Sequence, residues 1–295
     1  MKRGLVIKTT GSNYDVRTDD NQVFQCRIRG NFRLRGIRTT NPIAVGDYVQ
    51  FIPPTDTAYG VITEIEERKN YLIRRSTNLS KRSHIIAANI DQAFLIATLI
   101  LPRTSTGFMD RFLLTTRAYN IPTKIIFNKI DLYNETLQEY GNETMKIYRD
   151  IGYECIETSA IRGDNVDMLR DIMKDKLTLM SGHSGVGKSE LINSIDKSLD
   201  LRVGRISDRH LKGKHTTTFA ELFPLEFGGD IIDTPGIKEF GMIDFKKEEV
   251  GLYYPEMKER LKECRFYNCT HEHEPGCAIK EAVENGEISL ERYIN

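Results

Sequence analysis

The chain has 295 residues, which is more than one average domain and suggests two or three. Apolar side chains make up 39% of it, enough to bury a core, so a generally disordered protein is excluded. Basic and acidic residues balance at 42 each, yet residues 1–82 hold 15 basic and 8 acidic side chains, a net charge of +7. Such a basic segment is expected where a polyanion binds, although a solvated face has the same composition.

Two features of the sequence indicate the cellular compartment. No apolar run is long enough to span a membrane, and no signal-peptide core follows the first residues. The five cysteines are an odd number, and three of them crowd between positions 264 and 277, which favours metal binding in a reducing compartment over disulfides. We therefore expect a soluble, cytoplasmic protein that makes no membrane contact.

Residues 1–70 are predicted to form a small β-barrel, because short apolar stretches alternate there with glycine and proline turns. The segment from Cys26 to Arg35 is the most informative. On a strand its apolar side chains face inward (Cys26, Ile28, Phe32 and Leu34) and four arginines face outward. These arginines fit a nucleic-acid contact, and a solvated outer face explains them equally well.

Residues 71–242 are predicted to form an α/β domain. Apolar strands are expected at 94–100, 124–127, 153–157, 177–180 and 230–232. Helices are expected at 109–119, 166–173 and 188–195, the second of them capped by Asp164. This alternation predicts a parallel sheet covered by helices on both faces. Residues 243–295 are helical and charged around the cysteine cluster, so they are assigned to a third, small domain.

A phosphate-binding loop is the strongest motif in the chain. Residues 182–189 read GHSGVGKS and match G-x-x-x-x-G-K-[ST] in full, with a predicted strand before them and a helix after them. The glycines let backbone N–H groups curl around an anion at a helix N-terminus. Lys188 is then expected to contact the outer phosphates and Ser189 to ligate Mg²⁺.

The sequence NKID at 128–131 indicates that the base is guanine, because it follows a predicted strand at the edge where such sheets bind ligands. The carboxylate of Asp131 can accept from N1–H and the exocyclic amine of guanine, a donor pair that adenine lacks. Lys129 is expected to pack over the base, and the loop Thr158-Ser159-Ala160 to complete its recognition. Taken on its own, the tetrapeptide NKID is explained equally well by a capped turn. Together with the phosphate loop it predicts GTP binding.

Two further segments fit the γ-phosphate side of the site. Asp233-Thr234-Pro235-Gly236 matches D-x-x-G, in which Asp233 holds Mg²⁺ through water and the Gly236 N–H faces the γ-phosphate. Lys214-His215-Thr216-Thr217-Thr218 supplies a threonine for the metal and the γ-phosphate, and the sequence does not rank the three.

Catalysis needs a group that orients the attacking water. Ile237 stands where GTPases of the Ras type place a glutamine, so slow intrinsic turnover is expected and another group must act. His215, beside the threonines, is the candidate, and the alternative is that it only packs or contacts RNA. We expect docking onto a partner to raise the rate by positioning this segment.

The order of these motifs is circularly permuted, since N-K-x-D and S-A precede the phosphate loop. Ordinary GTPases carry them last. A parallel sheet can be re-cut in this way because its strand ends lie near one another, so the assembled site is unchanged.

The pattern Cys264-x4-Cys269-x-His271-x5-Cys277 predicts one structural zinc site. Three thiolates and an imidazole favour Zn²⁺ and leave no open coordination position for catalysis. His273 is an alternative to His271, and free thiols in a reducing cell are the alternative to a metal site.

Together, the barrel, the permuted motifs and the cysteine pattern resemble the RsgA family of small ribosomal subunit biogenesis GTPases over essentially the whole chain. The resemblance implies an N-terminal OB-fold β-barrel, a central circularly permuted α/β P-loop GTPase domain and a C-terminal helical zinc-binding domain. It also implies binding to the 30S subunit and its 16S rRNA in late maturation, with ribosome-stimulated hydrolysis of GTP to GDP and phosphate. We expect a monomer that uses GTP as substrate and binds Mg²⁺ and one structural Zn²⁺. From the resemblance, the last helix would be expected to continue at Asn295, where the given sequence ends.

The family pattern, taken with the motifs above, assigns roles to individual residues. The zinc ligands would be Cys264, Cys269, His271 and Cys277, and the catalytic residues His215 and Lys188. The nucleotide-binding residues would be Asn128, Lys129, Ile130, Asp131, Ser159, Ala160, Gly182, His183, Ser184, Gly185, Val186, Gly187, Lys188, Ser189, Glu190, Thr217, Thr218, Asp233 and Gly236.

A second interpretation is an RNA-binding module, with zinc and an OB-fold, whose GTP site regulates affinity with little turnover. GTP turnover with and without ribosomal subunits separates the two. A metabolic ATP-dependent kinase is disfavoured by N-K-x-D, and competition between guanine and adenine nucleotides tests it.

Overall fold

The computed structural model describes residues 1–28, 42–55, 58–75, 83–199, 220–233, 245 and 247–295. Among these residues, no helix is both long enough and apolar enough to cross a membrane.

The N-terminal part is a closed five-stranded barrel, as predicted. Its strands are β1 (Lys2–Thr10), β2 (Asn13–Arg17), β3 (Val23–Ile28), β4 (Tyr48–Ile52) and β5 (Gly60–Ile65). The barrel closes because β1 pairs with both β2 and β4, while β5 pairs with β3 and β4. Its interior is apolar, and its core residues are Val6, Tyr14, Val16, Cys26, Ile43, Val49, Phe51 and Ile62.

The arginine-rich segment begins on β3. Cys26 is buried in the barrel and Arg27 is exposed, as the alternation predicts, and Ile28 is partly buried against the core. Phe32, Leu34 and the other three arginines lie outside the described residues. Gly60 is required opposite this strand, because a Cβ there would lie 2.9 Å from the Cys26 sulfur.

A two-stranded hairpin, β6 (Tyr71–Arg75) and β7 (Ser83–Ala88), connects the barrel to the next sheet. This hairpin was not predicted from the sequence. Just before it, the Arg68 guanidinium forms an almost fully buried ion pair with Asp47 at 2.6 Å and also donates to the Pro42 carbonyl. This pair fixes the start of the connection to the base of the barrel.

The central part is an α/β sheet in the order β10-β9-β8-β11-β13-β12. Its strands are β8 (Gln92–Ala97), β9 (Thr123–Phe127), β10 (Glu154–Glu157), β11 (Leu177–Ser181), β12 (Glu221–Pro224) and β13 (Asp230–Asp233). All five predicted strands are present, and they run parallel. The predicted parallel sheet is thus confirmed. One strand was not predicted: β12 lies between β13 and β1 and pairs antiparallel to β13 through a hairpin.

Helices cover both faces of this sheet, as predicted. They are α1 (Thr106–Ala118), α2 (Glu135–Asp150), α3 (Val166–Met173) and α4 (Lys188–Ile195). Alternate strand residues serve the two faces: Leu95 packs with α1 and α2, whereas Phe94 packs with α3 and α4. Burying one large side chain such as Phe112 of α1 contributes about 1.5–3 kcal/mol, so these two layers stabilise the domain.

Two local features differ from the sequence analysis. Helix α2 was not predicted, because Gly141 and many polar residues hide its apolar face. Asp164 does not cap α3: its carboxylate accepts from the Arg162 guanidinium at 2.6 Å, and Asn165 occupies the cap position with a left-handed backbone. The Asn165 amide donates instead to the Glu157 carbonyl at 2.8 Å, since its backbone turns that side chain toward β10.

The C-terminal part consists of short helices packed on α1. These are α5 (Lys247–Val250), α6 (Pro255–Lys258), α7 (Ala278–Glu284) and α8 (Leu290–Ile294). Their core includes Leu114 from α1 together with Cys269, Cys277 and Ile279. Arg292 of α8 pairs with Asp110 of α1 and with Glu256 of α6, so a buried charge network joins this part to the central sheet.

Candidate functional site

The predicted phosphate loop connects β11 to α4 at the carboxyl end of the parallel strands. Gly182, Gly185 and Gly187 all have positive φ angles, from 86° to 152°. A Cβ at Gly182 would lie 2.4 Å from the Ile96 carbonyl oxygen, and one at Gly187 would lie 2.6 Å from the Asn128 amide nitrogen. The glycines are therefore needed both for the backbone conformation and for the close approach of neighbouring strands.

Lys188 is the first residue of α4, and its ammonium group lies inside the loop. It donates to the carbonyl oxygens of Gly182 and His183, both at 2.7 Å. This geometry holds a positive charge where the loop N–H groups and the helix N-terminus also favour an anion.

The remaining predicted loop residues lie around that charge. Val186 is fully buried, Ser184, Gly185 and Glu190 are exposed, and Ser189 follows Lys188 in the first turn of α4. The loop therefore presents its polar edge to solvent while Val186 anchors it in the sheet core.

Asn128 fastens the N-K-x-D segment to the phosphate loop. It is almost fully buried at the end of β9, and its side-chain amide donates to the Val186 carbonyl at 2.9 Å. Its amide oxygen accepts from the Thr158 hydroxyl at 3.2 Å and from the Ala160 N–H at 3.4 Å. One buried side chain thus joins three separate segments of the predicted site.

Lys129 has a left-handed backbone with φ at 66°, which turns its side chain back toward the phosphate loop. Its ammonium donates to the carbonyls of Leu101 at 2.5 Å and Gly185 at 2.6 Å. The aliphatic stem therefore spans the space between the N-K-x-D turn and the loop, where the base plane is expected to lie.

Asp131 lies in the single helical turn Ile130–Leu132, and Ser159 orients its carboxylate. The Ser159 hydroxyl accepts from the Arg162 N–H at 3.1 Å and donates its own proton to Asp131 at 2.6 Å. Because Ser159 is fully buried, this contact fixes one carboxylate oxygen and holds the group in place for the paired donors of a guanine edge.

The backbone of Asp233 ends β13, next to the strand that leads into the phosphate loop, and its register partner on that strand is Met180. The other predicted residues on this side are outside the described part of the chain: His215, Thr217, Thr218, Gly236 and Ile237.

A turn that was not predicted from the sequence lies beside the phosphate loop. Residues 98–104 follow β8, and the turn is closed by hydrogen bonds between Thr98 and Thr104, including Thr104 N–H to the Thr98 carbonyl at 2.7 Å. Beyond it, the Phe108 ring of α1 stacks on the His183 ring at 3.9 Å between centroids. The end of β8 at the same sheet edge was the signal that could have found this turn.

The structure brings the four predicted metal ligands together. The ligand atoms of Cys264, Cys269, His271 and Cys277 lie within 4.8 Å of one another. His271 Nδ1 is 3.3 Å from the Cys277 sulfur and 3.7 Å from the Cys264 sulfur. Bond lengths to tetrahedral zinc place sulfur and nitrogen ligands about 3.5 Å apart, so these residues fit the ion.

His273 does not join this cluster, because its side chain is 92% exposed. The left-handed backbone of His271, with φ at 65°, instead turns that imidazole toward the cysteines. Burial lowers the pKa of His271, which favours the neutral, ligating imidazole. Burial raises the pKa of the Cys269 thiol to about 12, and a bound cation would reverse that shift by holding the thiolate.

Comparison with known proteins identifies related chains over the full length. A family model described as the RsgA GTPase matches residues 65–243, and one described as the RsgA N-terminal domain matches residues 3–62. The small ribosomal subunit biogenesis GTPase RsgA of Bacteroides fragilis is 54% identical over 292 residues, covering 99% of this chain and 94% of that protein. The protein of the same name from Phocaeicola vulgatus is 56% identical with the same coverage.

Two solved structures are similar to this chain. YjeQ from Thermotoga maritima has a TM-score of 0.80 and 35% identity, covering 99% of this chain and 95% of that one. YloQ, described as a circularly permuted GTPase, has a TM-score of 0.74 and 33% identity, covering 100% of this chain and 92% of that one. These similarities confirm the predicted family and the permuted domain.

Proposed function

The chain belongs to the RsgA GTPase family, and on that premise we propose that it hydrolyses GTP to GDP and phosphate during late maturation of the small ribosomal subunit. The main support for a nucleotide site is the hydrogen bond from the buried Asn128 amide to the Val186 carbonyl, because it joins the base-recognition turn to the phosphate loop. Both segments lie at one sheet edge, so a single nucleotide can contact them together.

The base site selects guanine through Asp131, which Ser159 holds in place. The stem of Lys129 covers the base, and the N–H groups of the loop from Gly182 to Lys188 bind the phosphates. Lys188 neutralises charge on the outer phosphates, which favours the transition state in which that charge is redistributed. Ile130, Ala160, Ser184 and Glu190 complete the walls of this proposed site.

The site also has the residues for Mg²⁺, which would neutralise phosphate charge when bound. The Ser189 hydroxyl, in the first turn of α4, and the carboxylate of Asp233 would hold the ion together with Thr217 or Thr218. The Gly236 N–H would face the γ-phosphate. His215 would orient or deprotonate the attacking water, because Ile237 has no group that can.

The metal cluster is proposed to hold one structural zinc ion through Cys264, Cys269, His271 and Cys277. The close set of ligand atoms supports this assignment. With four protein ligands the ion has no open position, so its role is to stabilise the fold of residues 243–295.

We further propose that the chain acts as a cytoplasmic monomer divided at residues 1–70, 71–242 and 243–295, with the barrel contacting 16S rRNA. Arg27 supports the RNA contact, because its guanidinium is exposed on the barrel surface and lies over the Tyr59 ring at 3.8 Å. A cation on an aromatic plane suits both a phosphate and a stacked base.

The experiment that tests the function is GTP turnover without ribosomes, with small subunits and with large subunits. We expect slow turnover alone, strong stimulation by small subunits and little by large ones. Lys188→Ala should abolish turnover in every condition, which shows that the measured activity is from this site. Equal rates with and without small subunits, despite subunit binding, would favour instead an RNA-binding module regulated by GTP.

A further inference from the structure

The hairpin β12–β13 lies between the barrel and the strand that leads into the phosphate loop. Lys8 of β1 is the register partner of Glu221, Glu221 is the partner of Asp233, and Asp233 is the partner of Met180. A row of paired backbone positions therefore crosses four strands, from the barrel to a point two residues before Gly182. This row makes the barrel and the α/β domain one continuous sheet.

Two ion pairs from barrel strands hold the two ends of this hairpin. The Lys8 ammonium lies 2.8 Å from the Glu221 carboxylate at the end where β12 begins. The Arg17 guanidinium lies 2.6 Å from Asp230 at the end where β13 begins. Because β1 and β2 are paired to each other along most of their length, the barrel holds the hairpin as a unit.

The hairpin β12–β13 connects the threonine segment to D-x-x-G, so the two ion pairs that hold it bear on the γ-phosphate side of the site. β12 begins three residues after Thr218, and β13 ends at Asp233, the first residue of D-x-x-G. A displacement of the hairpin relative to β11 therefore displaces the start of D-x-x-G relative to the phosphate loop. The rate of hydrolysis depends on how D-x-x-G is positioned relative to the phosphate loop.

We propose that Lys8, acting through Glu221, is a positioning residue for the subunit-stimulated hydrolysis of GTP, and that it couples the RNA-facing barrel to the D-x-x-G strand. The inference rests on the proposed function for its activator, the small subunit. The coupling is reciprocal. If binding at the barrel changes the affinity of the site for a nucleotide, the nucleotide changes the affinity of the barrel for its partner by the same factor.

The Lys8–Glu221 pair is suited to testing. Within the described residues it is the one register pair between β1 and β12, so its side chains determine how the two strands meet. The two side chains are 39% and 31% exposed, and reversing either charge leaves a solvated group in a folded protein. Arg17 is less suitable, since its removal would leave Asp230 as a nearly buried, unpaired carboxylate.

The variants are Lys8→Glu, Glu221→Lys and the double exchange. Each single variant places like charges opposite each other across β1 and β12, and the double exchange restores the attraction. The matched control is Lys124→Glu, which breaks a cross-strand ion pair with Glu154 at the far edge of the same sheet.

We expect unstimulated kcat, the KM for GTP and small-subunit affinity to stay within about twofold of wild type in all variants. The stimulated kcat should fall about tenfold in each single variant and regain most of that loss in the double exchange, while Lys124→Glu matches wild type. Full stimulation in both single variants would overturn the proposal, and so would a double exchange no better than the singles.

A second measurement does not need the subunit. Amide hydrogen exchange at Lys8–Thr10 and in β2 is compared with GDP and with a non-hydrolysable GTP analogue bound. We expect a nucleotide-dependent difference in wild type that is lost in the single variants and restored in the double exchange. If small subunits fail to stimulate GTP turnover by the wild-type protein, the proposed function is contradicted. If hydrogen exchange in the barrel strands is equal in the two nucleotide states, the coupling is contradicted, whatever the turnover assay shows.

Discussion

Arg292 of α8 and Asp110 of α1, 182 positions apart, form an ion pair whose side chains are only 3% and 0% exposed. Glu256 accepts from the same guanidinium at 2.5 Å, and the Asn295 amide donates to the other oxygen of Asp110 at 2.7 Å. Three charged side chains from three helices are thus buried together, and Asn295, an exposed residue that follows α8, adds a hydrogen bond at the edge of the network. The network fastens the metal-cluster region to the helix whose Phe108 contacts the phosphate loop.

Arg292→Ala should destabilise the protein by about 3–5 kcal/mol, because it leaves Asp110 and Glu256 buried without a cation. Urea unfolding at neutral pH measures the change. Lys146→Ala, which breaks an exposed ion pair with Asp150, is the control and should cost about 0.5 kcal/mol or less. Similar losses in the two variants would show that burial of the Arg292 network contributes nothing.

Asp131→Asn should raise the KM for GTP about 10- to 100-fold, because the amide would face a guanine donor with a donor of its own. Competition of GTP against ATP and XTP in the turnover assay measures the change in preference. Asp150→Asn, on the exposed face of α2, is the control and should behave as wild type. An unchanged preference for GTP in the Asp131 variant would remove this residue from base recognition.

Cys277→Ala should reduce the zinc content from one ion per chain to a small fraction and lower the unfolding midpoint, since metal binding is coupled to folding. Elemental analysis of protein purified without chelator gives the stoichiometry. Cys155→Ala removes a buried thiol far from the cluster in sequence and should keep its zinc. Wild-type protein without zinc would contradict the assignment.

His215→Ala should lower the small-subunit-stimulated kcat about 100-fold or more, with GTP and subunit binding retained, because a water-orienting base is lost. His273→Ala, at an exposed imidazole outside the metal cluster, serves as the control. A His215 variant that binds normally and retains full stimulated turnover would assign catalysis to another group.

Glu66→Gln should show a pH-dependent loss of stability. The hydrogen bond from the Arg3 guanidinium lowers the pKa of Glu66 below its usual 4.5. The stabilisation is therefore present at neutral pH and is lost as the pH falls through the depressed pKa. Urea unfolding at pH 7 should show a cost of about 0.2–1 kcal/mol for this partly exposed pair, and at pH 3 a smaller one. An equal cost at both pH values would mean that the ionised carboxylate is not what stabilises the barrel.

Features that depend on residues close together in the chain could be predicted from the sequence. A strand, a glycine turn and a helix form the phosphate loop from consecutive residues, so GHSGVGKS was sufficient to predict it. Three other features were recognisable for the same reason: N-K-x-D after a buried strand, the apolar stretches of the sheet, and four candidate metal ligands within fourteen residues. Their chemistry and backbone requirements are local, and few other structures meet them.

Which distant segments contact each other could not be predicted from the sequence and is known from the fold. Asn128 reaches Val186 across 58 positions, and Lys8 reaches Glu221 across 213. A buried amide or a surface lysine suits many partners, so composition and spacing do not select one. The choice of His271 over His273 likewise depended on a left-handed backbone that turns one imidazole toward the cysteines and leaves the other in water. Partner choice is fixed by the packing of whole strands and helices, because only that packing sets which polar groups are buried together.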